Sequence, residues 1–293
     1  MAKPKTIAAI EPNAGLRAAL QKKIAKLVRA RTRAAAAELF EDLIASGLVG
    51  EESRLAQDAK PTVKDFKAVD LEKASKHADT AYAERLARWM IHTGEDAKAV
   101  SKWFVRTTAQ RITASQRRAL IRAGISPELI KNRWTVPVVK NRYISPAAAQ
   151  EMPKLIDDMT ALITKMQADD LERLRGALDA GLSGGKTIGD IEEILRQSDG
   201  FTEARAKRVA LDQSVKVNQG LQRANAQGLG AKTGIWVHVP GMYSSRQTHK
   251  AMDGKRFNLD EGLYDPAVGR KVMTGELPFC RCVFRLDIDE LLK

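Results

Sequence analysis

Two of the chain's histidines and both of its cysteines fall in one segment, Trp236 to Leu286. His238, His249, Cys280 and Cys282 are residue types that hold metal ions or move protons. Two imidazoles with two thiolates make a full zinc set. Against that reading, Cys-x-Cys is a poorer clip than Cys-x-x-Cys: alternate residues of a regular strand stand about 6.6 Å apart, so only a bend would bring both thiolates to one ion. A second reading makes His249 the base of a nuclease or other hydrolase, with Asp253 beside it and Asp260, Glu261 and Asp265 as further acids. No paired-carboxylate or histidine–metal spacing names a mechanism for it. A third reading is structural. Cys280, Cys282 and Phe284 face one way from a strand and Phe279, Arg281 and Val283 the other, the cysteines serving as small buried apolar groups and His249 holding a loop by hydrogen bonds. On residue chemistry alone the structural reading leads, and zinc stays open.

The elements that must position this segment are mainly helical. Aromatics make up only 5% of the 293 residues, which favours long helices over sandwiches or barrels. Residues 12–48 read as one amphipathic helix, with Leu16, Leu20, Ile24, Leu27 and Val28, then Leu39, Phe40, Leu43 and Ile44, at helical spacing. Its first half is basic and Gly47 and Gly50 end it. Residues 50–68, with Pro61, read as a connection or short helices, and a further helix runs from Asp70 to about Ile91. His77 and His92 lie in or beside that helix without a ligand partner at metal spacing, so they read as packing or surface residues. After a stretch limited by Pro137 and Pro146, Met152, Leu155, Met159, Leu162 and Met166 mark a helix of some thirty residues whose apolar stripe continues through Leu171, Leu174 and Leu178. That stripe reads as core. Thr187 with Asp190 opens a short helix as a capping box, Thr202 caps the next, and Gly228 and Gly230 close it. Ile235–Val239 alternates like a strand. The fold expected is mainly α with a small α+β C-terminal domain: long helices packed lengthwise, then short strands and irregular loops after residue 230. Its expected divisions are a basic amphipathic helix (1–50), a helical connecting region (51–100), a basic helical region with the long amphipathic helix (101–200) and a C-terminal domain (201–293).

A net charge of +13 attracts polyanions. The most basic window, Ser101 to Tyr143, sets Arg106, Arg111, Arg117, Arg118, Arg122, Lys131 and Arg133, with Lys102, Lys140 and Arg142, against the single acid Glu128. Within it, Ser115–Ile130 has the outline of a helix-turn-helix, its second helix opened by Ser126 and Pro127. Only Lys131 and Arg133 serve that helix, and no base-reading set accompanies them, so general phosphate attraction is the reading favoured for this window. The chain shows no internal repeat, no GxxxxGK[ST], no GxSxG and no HExxH. Its start has no apolar core with a cleavage site, no run approaches the ~18 apolar residues of a membrane span, and two cysteines one residue apart make no disulfide framework. These features read as a soluble protein of a reducing compartment.

An ordered set of motifs then carries a resemblance. Arg246-x-x-His249 is followed by Asp253-Gly254-Lys255-Arg256-Phe257 and, downstream, by Pro278-x-Cys280-Arg281-Cys282; Asp212, Gln213 and Asn218 precede them on a helix, and Trp236 supplies the aromatic before the loop. The segment from about 110 to 286 resembles the phage head morphogenesis, or Mu F-like minor head protein, family. That family usually carries an aspartate about seven residues before the histidine and an arginine two positions on; here Met242 and Ser244 stand in those places, which weakens any activity resting on that acid. The resemblance implies a tailed-phage virion protein inside the head, present in few copies, with portal, scaffold or capsid proteins as partners and no cofactor, met in the host cytoplasm during assembly. The long N-terminal helix becomes a candidate docking element. A structural role without catalysis is favoured; the alternative is a genome-associated effector enzyme, nuclease or toxin-like, using His249.

Overall fold

Long amphipathic stretches become long helices in the computed structural model, which describes residues 5–51, 66–134, 144–240 and 246–292. Pro61, the 135–143 stretch with Pro137, Lys140, Arg142 and Tyr143, and the departing positions Met242 and Ser244 lie outside the described residues. The order is β1 (Thr6–Ile7), α1 (Ala14–Ala45), β2 (Val49–Glu51), β3 (Phe66–Ala68), α2 (Leu71–Arg122), α3 (Pro127–Arg133), α4 (Pro146–Ser183), α5 (Ile188–Gln197), α6 (Asp199–Gly228), β4 (Thr233–Val237), α7 (Gln247–Ala251), β5 (Arg256–Asn258), β6 (Leu263–Asp265), β7 (Arg270–Val272) and β8 (Val283–Asp287). The architecture is the expected one, mostly helical with a small antiparallel sheet region near the C-terminus. Contacts divide the chain into two discontinuous units, one of residues 1–20, 101–159 and 208–293, the other of residues 21–100 and 160–207.

In the second unit, Leu39, Phe40 and Leu43 of α1 share a core with Ala74, Ala78, Tyr82 and Trp89 of α2, Leu171, Leu174 and Leu178 of α4, and Ile188 and Ile191 of α5. The alanines at intervals of four and three let α2 approach its neighbours closely. Arginines on the helices are matched by acids: Arg33 with Asp199 at 2.5 Å, Arg85 with Asp42 at 2.6 Å, Arg29 with Glu203 at 3.2 Å, and Arg31 with Asp96. His77 bonds Asp42 at 2.7 Å, and His92 is exposed. Leu39, Phe40 and Leu43 of the expected α1 stripe are thus buried in this core. Thr187 and Asp190 form the expected capping box of α5.

In the first unit, β8 and β4 are the inner strands of a four-stranded antiparallel sheet ordered β1–β8–β4–β5, with Trp236 opposite Phe284 and Gly234 opposite Phe257. Any Cβ at Gly234 would stand 3.0 Å from the Phe284 ring, so glycine is what lets the aromatics close over the strand. Behind the sheet α6 is buried almost all round from Gln213 to Ala226. Its Asn225 amide nitrogen donates to Gln116 Oε1 at 2.6 Å, its amide oxygen accepts from Ser145 Oγ at 2.5 Å, and its carbonyl accepts from Trp134 Nε1 at 3.1 Å. Gln222 Nε2 donates to the Ile10 carbonyl at 2.6 Å and its Oε1 accepts from the Ile10 amide at 3.2 Å.

Several expectations change. At the described ends of the 50–68 stretch, β2 and β3 pair with Val49 opposite Ala68. The helix opening near Asp70 does not stop at Ile91 but runs 52 residues in all, with buried Trp89, Phe104, Ile112 and Leu120 recurring along it. Leu162 is exposed although it shares the α4 stripe with buried Met159 and Met166. Thr202 is no cap: α6 opens at Asp199, and the Thr202 hydroxyl donates to Asp170 at 2.7 Å. After residue 240 the expected short strands are β5 to β8.

Two glycines of α4 predict opposite outcomes. An added Cβ at Gly181 would stand 2.5 Å from Ile191 Cγ1, whereas one at Gly176 meets nothing within 4 Å. Urea unfolding should show Gly181→Ala destabilised by about 1–3 kcal/mol and Gly176→Ala stabilised by up to about 1 kcal/mol.

Candidate functional site

The four candidate side chains come from three places in the chain. His238 follows β4, His249 lies on α7, and Cys280 and Cys282 precede β8. The expected strand through the cysteines does not form. β8 begins only at Val283, and Phe279 adopts φ 59°, a left-handed conformation rare for a bulky residue. This turn removes the spacing objection: the two thiols and His249 offer ligand-type atoms within 4.8 Å of one another. Burial does not alternate either, since Val283 and Phe284 at the start of β8 are both buried.

Three anchors hold the turn. Asp212 Oδ1 of α6 accepts the Phe279 amide at 2.6 Å. Arg246, at the start of α7, donates to the Pro278 carbonyl at 3.1 Å. Gly275 takes φ 72° where an added Cβ would lie 3.0 Å from Gln219 and Val215 of α6. On the other side of the cluster, Asp253 accepts the His238 amide at 2.8 Å, and Gly254, at φ 75°, donates to the Trp236 carbonyl at 2.9 Å. The Asp253–Phe257 motif is therefore a turn that fixes the chain around His238 and leads Phe257 into the core.

Around His249 the geometry is closed. Nδ1 lies 3.4 Å from Cys280 Sγ and 3.7 Å from Cys282 Sγ, and His238 Nδ1 lies 3.6 Å from Cys282 Sγ. On its far side His249 Nε2 donates to Asp265 Oδ2 at 3.1 Å. The Trp236 ring meets His249 edge-on, centroids 5.4 Å apart, and packs on Phe257 at 5.7 Å. His249, Cys280, Cys282 and Asp265 are all at most 3% exposed. Burial pushes the Asp265 carboxyl up, but the Ala267 amide and His249 more than offset this and hold it below the usual range. A carboxylate can only accept, so His249 carries a proton on Nε2 and directs Nδ1 toward the sulfurs. The neighbouring Cys280 raises the His249 pKa; hydrogen bonds from Cys282 and His249 lower that of Cys280, and the same sharing pushes Cys282 up.

Asp253 is thus not the acid beside His249; Asp265 is. Sixteen residues separate His249 from Asp265, and no periodicity links α7 to the end of β6, so spacing alone carries no sign of the pair. Arg281 is half-buried between the two cysteines in sequence. The basic set lies elsewhere in the first unit: Arg106, Arg111, Arg117, Arg118 and Arg122 are exposed on α2 and Lys131 and Arg133 on α3, with Arg133 also donating to the Leu229 carbonyl.

If α6 holds the Phe279 turn as described, Gly275→Ala should cost about 2 kcal/mol and Asp212→Ala about 1 kcal/mol. Both variants should expose the cysteines to a thiol reagent faster than the native chain, in a stopped-flow modification assay.

Neither a curated protein nor a solved structure matches the chain. A family model does: the one described as Phage Mu protein F like protein matches residues 172–285. The match takes in Asp212, Trp236, both histidines, Asp265 and both cysteines, and the chain therefore carries a Phage Mu protein F-like domain that contains the whole cluster.

Proposed function

We propose that the protein is a structural minor head protein of a tailed bacteriophage, acting in head assembly near the portal and touching packaged DNA through phosphate contacts. The family domain supports the head assignment. The observation that carries the DNA contact is the unequal pairing of charge. Arginines of the second unit meet acids, whereas among the described residues Arg106, Arg111, Arg117, Arg122 and Lys131 meet none, and Arg118 meets only Ser115. Arg111, Arg118 and Arg122 follow at seven and four residues on one face of α2, a row spanning about 16 Å along the axis. Cations so placed suit a polyphosphate backbone and carry no base-specific geometry. The helix-turn-helix reading loses support because its first helix is the end of a 52-residue helix and α3 has seven residues.

Burial of the His249 cluster supports a role without catalysis, since a general base has to reach a substrate proton. No helix among the described residues is long and apolar enough to cross a membrane.

Fluorescence anisotropy with random-sequence duplex DNA tests this reading. Affinity should fall linearly on a log–log plot against salt, and replacing Arg111, Arg118 and Arg122 together by glutamine should lower the slope by about 2–3 without changing the circular dichroism spectrum. Sequence-selective binding, an unchanged slope, or metal-dependent cleavage of plasmid DNA by the purified chain would contradict it. Mass spectrometry of purified heads should find the protein inside DNA-filled particles.

A further inference from the structure

We propose that His249, Cys280 and Cys282 are the core of a structural Zn²⁺ site that His238 completes, and that Asp265 is the carboxylate that orients His249 toward the metal. This goes beyond the head-protein reading and does not depend on it.

Distances carry the argument. With Zn–S near 2.3 Å and Zn–N near 2.0–2.1 Å, the edge between a sulfur and a nitrogen of a tetrahedral site is about 3.6 Å. The three sulfur–nitrogen separations in the cluster are 3.4, 3.6 and 3.7 Å. His249, Cys280 and Cys282 offer ligand atoms that all lie within 4.8 Å of one another, as ligands of one ion must, and His238 adjoins that trio at Cys282. Ordinary apolar packing of two cysteines would not aim two imidazole nitrogens at them. The His238 ring makes its polar contact through Nδ1 to Cys282, while its buried Nε2 finds no partner among the described residues.

The environment fits the same ion. Asp265 holds the proton of His249 on Nε2 and leaves Nδ1 free to bind, which is the carboxylate–histidine–metal relation that fixes a ligand's tautomer and ring orientation. Two thiolates and a divalent cation sum to zero charge, so the filled site suits a setting in which an unpaired charge would be costly. Soft thiolates with imidazoles select zinc over the hard cations magnesium and calcium. With His238 as fourth ligand the site would have no open position, which would make it structural rather than catalytic. Binding would release the protons of Cys280 and Cys282 to solvent and tie His238, α7 and the Phe279 turn to a single point.

The test uses the full chain. Purified without chelator from zinc-supplemented cells, it should carry one zinc per chain by elemental analysis. Cobalt exchanged into it should show the absorption of a tetrahedral ion with thiolate charge transfer. A strong chelator should lower the melting temperature of the native chain, and added zinc should restore it, a readout that needs no variant to fold. Cys280→Ser with Cys282→Ser should abolish the cobalt spectrum. Asp265→Asn should weaken zinc by about 10–100-fold in competition with a chromophoric chelator. A folded chain without zinc and without a cobalt spectrum would overturn the proposal, as would a melting temperature indifferent to chelator or an unchanged cobalt spectrum in the double variant.

Discussion

The polar side chains buried along α6 are the constraint on which the first unit depends. A helix carrying Ser214, Asn218, Gln219, Gln222 and Asn225 in its interior is an unfavourable core element unless its polar groups are matched, since each unmet group costs about 1–3 kcal/mol. Here Asn225 draws α2, the start of α4 and Trp134 to one point, Gln222 fastens the backbone at Ile10, and Gln219 accepts from Thr274 at 3.1 Å. Such a network specifies its neighbours by direction as well as by size. Hydrophobic contacts could tolerate a helix sliding by a residue; a shared amide could not. The anchoring of the Phe279 turn by Asp212 extends the same principle to the cluster of histidines and cysteines.

The two units solve charge in different ways. The second matches its arginines with acids on neighbouring helices, pairs that are part-exposed and individually worth little but that leave no strong field behind. In the first, the cations of α2 and α3 meet no acid among the described residues, and the net charge of the chain is expressed there. A helix whose sequence looks ready to bind a polyanion, such as the basic opening of α1, is therefore not the one that keeps its arginines available.

Much of the fold was legible wherever the apolar period was strong. The stripe of α1, the methionine and leucine rows of α4 and the Thr187–Asp190 box each appear as the residues indicate. What escaped was set by contacts with no local pattern. The amides of α6 follow no apolar period, and only their partners make them core. Leu162 continued the α4 stripe by spacing and is exposed nonetheless. Around the cluster, residue types pointed to His238, His249, Cys280 and Cys282, but strand geometry argued that the two sulfurs could not meet. The left-handed turn at Phe279 overrides that geometry, and a bulky residue at positive φ is what a reader of sequence would least assume. Asp265 was visible as one of several acids, and nothing in the sequence ranked it above Asp253.

The placement of β8 has a consequence for how the first unit is made. It is an inner strand of the sheet, bonded to β1 on one side and β4 on the other, yet it follows both in the chain, and its partner Ile7 is nearly the whole sequence away from Leu286. During synthesis β1 and β4 have no strand between them until the residues after Cys282 have left the ribosome. Until then Trp236 and Phe257 lack the surface that covers them, and assembly must wait for a pairing of very high sequence separation, which is intrinsically slow. Truncation even a few residues before Asp287 would leave not a shortened sheet but a divided one.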